Sequence, residues 1–161
     1  MPLIETLTTE RLVLEPLDVA HASEMVFVLA DPSLYDFIGG GPPTGEELRA
    51  QYLAQVAGSG DELEIWHNWV IRLDGAAVGF VQATVTGSSS DIAWVVGVPW
   101  QGVGIATEAA RAMCEWLTDG GVSKLEAHVH PAHLASQRVA AALGLTDSDE
   151  IDDDGESIWR R

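Results

Sequence analysis

Gln101, Gly102, Val103 and Gly104 lie between an apolar run, Ile92 to Val98, and a run of small and apolar residues that opens Ile105-Ala106-Thr107. A strand-to-helix turn of this composition aims several backbone N–H groups, and the positive end of a helix dipole, at one point. That point is a seat for a phosphate or pyrophosphate. The two glycines keep side chains away, so the backbone can approach the ligand. No Lys-Ser/Thr pair follows, which excludes the Walker pattern, and the spacing is not the dinucleotide Gly-x-Gly-x-x-Gly. The pattern is Gln-x-x-Gly-x-Ala, from Gln101 through Gly104 to Ala106.

A second group of residues could move protons. Glu126, His128 and His130 alternate, so a strand over this stretch turns all three to one face. Asp91 opens the apolar run before the glycine turn. Alternate positions on a single strand do not by themselves enclose an ion, so no metal site is expected. Gly97, inside an otherwise β-branched run, marks a bulge, a close backbone approach or a packing constraint. Cys114 is the sole cysteine and lies within a helical pattern, where a buried small hydrophobe is expected in preference to a nucleophile.

The elements that must position these groups follow from periodicity and punctuation. Arg11 to Leu17 alternates as a strand. Asp18 caps a helix to about Ala30, with Asp31-Pro32 as its stop. Thr44 and Glu47 form a capping-box pattern for a helix to about Val56, closed by Gly58-Ser59-Gly60. Ile65–Leu73 and Ala76–Val85 flank Asp74-Gly75, a hairpin turn. Gly87-Ser88-Ser89-Ser90 is expected to be a flexible connection. A long helix from Gly104 to about Thr118 ends at Gly120-Gly121. Lys124–Val129 is a strand and Leu134–Leu143 a helix. A last hairpin turns at Asp152-Asp153-Asp154-Gly155, and the acidic stretch Asp147–Glu156 is expected to be a solvated loop.

Composition narrows the partners. At 161 residues the chain supports one core without disulfides or metal. The 25 acidic residues against 8 basic ones, for a net charge of −17, argue against nucleic acid and anionic membranes as partners. The same balance is compatible with a cationic acceptor, and also with a purely solvating acidic surface. A single cysteine and the absence of a secretion signal or a long apolar run make a cytoplasmic location the expectation.

Three segments carry a family resemblance. The Gln101–Ala106 hexad, with its flanking strand and helix, resembles the coenzyme A pyrophosphate loop of the GNAT acetyltransferases. His130-Pro131-Ala132-His133-Leu134-Ala135-Ser136-Gln137-Arg138-Val139, followed by Ala142-Leu143-Gly144-Leu145, resembles the family's late motif, commonly Pro-x-Asn-x-x-Ser-x-Arg-Val and then Leu-Gly-Phe. Thr9-Glu10-Arg11-Leu12-Val13-Leu14 resembles the opening strand of the branch with ribosomal-protein N-terminal acetyltransferases and some aminoglycoside acetyltransferases. The segments stand in the family's order and span most of the chain.

The resemblance implies one GNAT domain over residues 1–161. Its α/β (α+β) fold would have a mixed, mostly antiparallel, twisted sheet of about six to seven strands, with helices on both faces. The strands at Ile92–Val98 and Lys124–Val129 would splay apart, with the pantetheine of acetyl-CoA between them, pairing near Val96 and Val98. The pyrophosphate would rest on Gln101, Gly102, Val103, Gly104, Ile105, Ala106 and the Thr107 side chain. Val103 stands where relatives often carry a basic residue, and His133 where they carry asparagine. Arg138 either approaches the adenosine phosphates or pairs with a surface carboxylate. Ser136 matches the motif serine, and no tyrosine follows Tyr52, so Ser136 either hydrogen-bonds the leaving thiolate or caps its helix.

The candidates for general base are Asp91, Glu126 and His130, with His128 beside them. The acceptor pocket would draw on the early helices, the Gly39–Pro43 loop and Tyr35, Phe37, Trp66, Trp69 and Trp94. The implied activity is acetyl transfer to a primary amine, on a small cationic molecule or a protein N-terminus, by direct attack. The alternative is a non-catalytic acyl-CoA-binding regulatory domain. Relatives are often dimers, which leaves a homodimer open on analogy alone, and the sequence does not fix the oligomeric state.

Overall fold

The computed structural model describes residues 1–161. The strands are β1 (Leu7–Thr8), β2 (Leu12–Pro16), β3 (Glu64–Leu73), β4 (Ala76–Thr86), β5 (Ser89–Val96), β6 (Lys124–Val129), β7 (Thr146–Ile151) and β8 (Ser157–Arg160). The helices are α1 (Ala22–Val28), α2 (Gly45–Ala57), α3 (Ile105–Asp119) and α4 (Leu134–Ala142). One sheet runs in the order β1-β2-β3-β4-β5-β6-β8-β7, antiparallel at every step except β5–β6. The expected six to seven strands become eight because a two-residue strand, β1, pairs along the edge of β2.

Local chemistry explains most boundaries. Asp74 and Gly75 take positive φ values of 50° and 83°, the backbone that a tight hairpin between twisted strands requires. Thr44 and Glu47 exchange both capping-box hydrogen bonds at 3.1 Å, which fixes the start of α2. Asp18 does cap, through Ala20 N–H at 2.8 Å, but the cap opens a 3-10 turn over Val19–His21 that leads into α1. That helix ends at Val28, short of Ala30. Pro32 begins a further 3-10 turn, with Asp31 accepting from Ser33 N–H at 2.9 Å, because proline suits a helical first position.

The strand before the glycine turn is displaced from its expected bounds. Ser89 and Ser90 are strand residues, paired with Thr86 and Val85, and the connection is a tight Gly87-Ser88 turn. At the other end the chain leaves the sheet after Val96, and Val98–Trp100 form a 3-10 turn. Pro99 there has no N–H to give to a ladder. Gly97 does not sit at a bulge, since the β4–β5 register runs unbroken to Gly79↔Val96. Its reason is side-chain packing: a Cβ at Gly97 would lie 2.9 Å from the Trp100 ring and 3.1 Å from Val28 Cγ1.

Alternation along the strands divides the core. Leu12, Leu14, Trp69, Ile71, Val81, Ile92, Leu125, Ala127 and Val129 face α3 and α4 and pack on Ile105, Ala109, Met113, Leu117 and Ala140. Val70 and Ala77, with Phe80 and Val95 beside them, face α1 and α2 and pack on Ala22, Met25, Leu48 and Tyr52. The parallel β5–β6 pair holds only at Ser89↔Lys124, Ser90↔Leu125 and Asp91↔Glu126. From Ile92 onward the strands diverge and leave a wedge through the sheet. No helix is long and apolar enough to cross a membrane.

Candidate functional site

Gly104 is the N-cap of α3 at φ 84°, and Gly102 lies at φ 79°. No side chain caps the first turn of α3, so its leading N–H groups are open to an anion. Gln101 turns its side chain back, and its Nε2–H donates to Val96 C=O at 2.9 Å, bracing the loop against the end of β5. Arg11 braces it from the other side. Its guanidinium donates to Val103 C=O at 2.9 Å and pairs with Glu108 at 2.8 Å. The Thr9 hydroxyl donates to the same carboxylate at 2.6 Å. Partial burial would raise the Glu108 pKa, but the bonds from Thr9 and Arg11 outweigh it and hold the carboxyl below its usual range.

A cavity of about 610 Å³ starts at this loop and passes through the wedge to the face occupied by α1 and α2. Gln101, Gly102, Gly104, Ile105, Ala106 and Thr107 line its first half with Ser136 and Arg138 from α4. Gly97 N–H donates to Val78 C=O in β4, at 2.8 Å. Alternation therefore turns the N–H groups of Trp94 and Val96 toward the wedge. A groove of similar volume, about 600 Å³, lies outside the wedge between Phe27 and Val98 and contains none of the loop.

Two expected cofactor contacts fall outside the cavity. Val98 belongs to the outer groove, because the chain has already left the sheet there. Val103 projects to solvent and meets the site only through its Arg11-bound carbonyl. Arg138 is the only Arg or Lys on the cavity wall and pairs with no carboxylate, which leaves its charge for an anion. His133 stacks on Phe37 with centroids 4.5 Å apart, and His130 is tilted against the same ring at 5.1 Å. Ser136 Oγ lies 3.4 Å from His133 Nε2. Burial, and then His130, lowers the His133 pKa, which favours the neutral imidazole.

The proposed bases fare differently. Glu126 and Asp91 do not line the cavity. Glu126 bonds His128 at 2.9 Å and Arg160 at 2.7 Å, which commits both its oxygens. His128 is spanned by two carboxylates, Glu126 and, at 2.7 Å, Asp152; these bonds overcome partial burial and raise its pKa. Asp91 is raised by crowding from neighbouring protein atoms and then by Glu126, although its side chain reaches solvent. Asp91, Glu126 and His128 bring ligand atoms within 4.8 Å of one another, but both His128 nitrogens are already engaged. His130 does line the wall, with its Nδ1 accepting from Ala132 N–H at 3.0 Å.

On the far half of the wall stand Leu34, Phe37, Ile38, Phe80, Gln82 and Glu156. Phe37 and Trp94 reach the cavity as expected. Trp69 is core, Trp66 is exposed on Glu64, and Tyr35 donates its hydroxyl to Leu29 C=O at 2.8 Å. Leu34, Ile38, Phe80, Gln82 and Glu156 are wall residues that sequence reasoning missed, and Glu156 was read as part of a solvated loop. Its only signal was a place in a hairpin turn. The register that pairs Ser157 with Val129 sets that turn at the open end of the wedge.

The comparisons agree with this geometry. The profile of the Acetyltransferase (GNAT) domain matches residues 11–146. No curated protein matches the chain in sequence. A GNAT-family acetyltransferase from Bacillus anthracis superposes with a TM-score of 0.78 at 18% identity, over 97% of this chain and 96% of that one. The aminoglycoside acetyltransferase AAC(6')-Ib, solved with coenzyme A, superposes at 0.76 and 20% identity over 93% and 94%. The microcin C7 self-immunity acetyltransferase MccE, solved with acetyl-CoA and AMP, superposes at 0.78 and 15% identity over 95% and 93%. With its wedge-split sheet, its glycine loop at the head of α3 and a profile match over most of its length, the chain belongs to the GNAT acetyltransferase family.

Proposed function

We propose that this chain transfers the acetyl group of acetyl-CoA to a primary amine by direct attack. The observation that carries the reading is one continuous cavity joining an open helix N-terminus to the opposite face of the sheet through the β5–β6 wedge. Complexes of AAC(6')-Ib and MccE with coenzyme A and acetyl-CoA support the same donor here. The loop N–H groups of residues 102–107 and the free Arg138 guanidinium would hold the phosphates. The wedge would take the pantetheine, with His133 beside it. The Val96 N–H would polarise the thioester carbonyl, and Ser136 would hydrogen-bond the leaving thiolate. A net charge of −17 favours a small cationic amine over a protein N-terminus.

The test is the thermal unfolding midpoint with and without excess acetyl-CoA, followed by release of CoA thiol against a panel of polyamines, aminoglycosides and peptides. Binding at a hundred times the dissociation constant stabilises the native state by about 2.7 kcal/mol. No rise in the midpoint would overturn the donor assignment. A rise without transfer to any amine would leave an acyl-CoA-binding domain.

A further inference from the structure

Glu156 closes the β7–β8 turn and supplies the only carboxylate on the cavity wall. It is half-buried, on the far half with Phe37, Phe80, Gln82 and the imidazoles of His128 and His130. The one wall arginine, Arg138, lies on α4 in the donor half. No protein group hydrogen-bonds or ion-pairs the Glu156 carboxylate. Its backbone, by contrast, is firmly held. Asp152 Oδ1 accepts the N–H groups of Asp154 and Glu156 at 2.9 Å each, and Asp152 N–H donates to Glu156 C=O at 2.9 Å. Asp152 Oδ2 meets His128 Nδ1 at 2.7 Å, which ties the turn to β6. The hairpin thus holds the backbone of a carboxylate that has no hydrogen-bond or ion-pair partner, within 4.8 Å of the Asp152 and Asp154 carboxylates and beside the imidazoles on the far half of the wall.

We infer that Glu156 receives the ammonium group of the acceptor and takes its proton before attack, making the far half of the cavity a site for cationic amines. This rests on the acetyl-transfer reading above. The first ammonium proton passes to the Glu156 carboxylate, and the freed nitrogen bonds the thioester carbonyl carbon. The C–S bond breaks, and the proton lost as the amide forms balances the thiolate as CoA thiol. Glu156 then returns its proton to solvent. Burial, and then the neighbouring Asp152 and Asp154 carboxylates, raise the Glu156 pKa, while His128 and His130 oppose the rise; the direction suits a proton acceptor.

The experiment is steady-state transfer from acetyl-CoA to spermidine by the wild-type protein and by Glu156→Gln, Glu156→Asp and Asp153→Asn. Asp153 is exposed in the same turn and off the wall, so its variant removes the same charge without touching the pocket. Glu156→Gln is expected to lower turnover by about a hundredfold or more, with acetyl-CoA affinity unchanged. Glu156→Asp should recover part of the loss, and Asp153→Asn should stay close to wild type. Near-wild-type turnover in Glu156→Gln overturns the inference, as does an equal loss in Asp153→Asn, which would reflect bulk charge. A wild-type protein that binds acetyl-CoA but acetylates neither spermidine nor another protonated amine also overturns it. Failure to bind acetyl-CoA at all refutes the transferase reading itself.

Discussion

At Gly104 one residue carries both a backbone requirement and the ligand seat. A side chain at φ 84° costs roughly 1–2 kcal/mol of left-handed strain. The nearest atom to an added Cβ is Arg11 Nη2 at 3.5 Å, an ordinary contact, so the fold should persist. Gly104→Ala and Gly104→Glu therefore share the strain, and only the second places a carboxylate where phosphates would bind. Like-charge juxtaposition costs several kcal/mol, so Gly104→Glu should bind acetyl-CoA at least about a hundredfold more weakly than Gly104→Ala. Titration calorimetry of both variants checks this, and equal affinities would remove the loop assignment. Ser136 lies in the first turn of α4 on the cavity wall. A hydrogen bond to a charged group contributes about 1.5–3 kcal/mol, so Ser136→Ala should lower kcat by about ten- to a hundredfold while the KM for acetyl-CoA holds. An unchanged kcat would leave Ser136 with no role at the thiolate.

Among the elements, β5 matters most, since its free edge is one wall of the wedge. Its position depends on Gly79 in β4, where an added Cβ would lie 2.2 Å from Val95 O and 3.0 Å from Val96 Cα. Both are backbone atoms, so Gly79→Ala must push β5 away. We expect a destabilisation of about 1–3 kcal/mol together with weaker acetyl-CoA binding. Gly75→Ala, in the distant β3–β4 turn, should lower stability through its positive φ and leave binding alone. If both variants bind equally well, the position of β5 does not govern the site. The contrast also explains what was legible in the sequence. Asp74-Gly75, the Thr44–Glu47 box and the Gln101–Gly104 turn declare themselves within four residues, because their chemistry is local. Ser89 and Ser90 are strand residues only because β4 pairs with them, and no local propensity announces that. Val98 looked like strand by composition, yet Pro99 and the turn to Trp100 carry it away from the wedge. Glu156 was hidden for a longer-range reason: its turn is obvious, but the strand against which that hairpin packs is not.

For the molecule as a whole, 25 acidic residues against 8 basic ones create self-repulsion, which uptake of protons relieves. That effect alone would stabilise the fold as pH falls from neutral. His67 acts in the opposite sense. It lies in β3 at 4% exposure, 4.9 Å from the Trp116 ring and 6.0 Å from Trp69, and neither ring nitrogen has a partner. Burial first, and then the charge of the N-terminus, lowers its pKa. The unfolded chain takes up a proton at His67 below about pH 6.5 while the native protein resists it. The contribution of His67 is therefore intact above that pH and lost as pH falls through it. His128, with its raised pKa, contributes below its unfolded value and loses that contribution as pH rises through the folded one. The wild-type slope sums these opposed effects, and a His67→Leu variant separates them. Leucine fills the same aromatic pocket without two unpaired polar atoms, so the variant should be at least as stable as wild type near pH 7.5. Its Tm advantage should widen at pH 5.5, measured at constant ionic strength. Parallel pH profiles for the two proteins would place the acid-linked loss at a group other than His67.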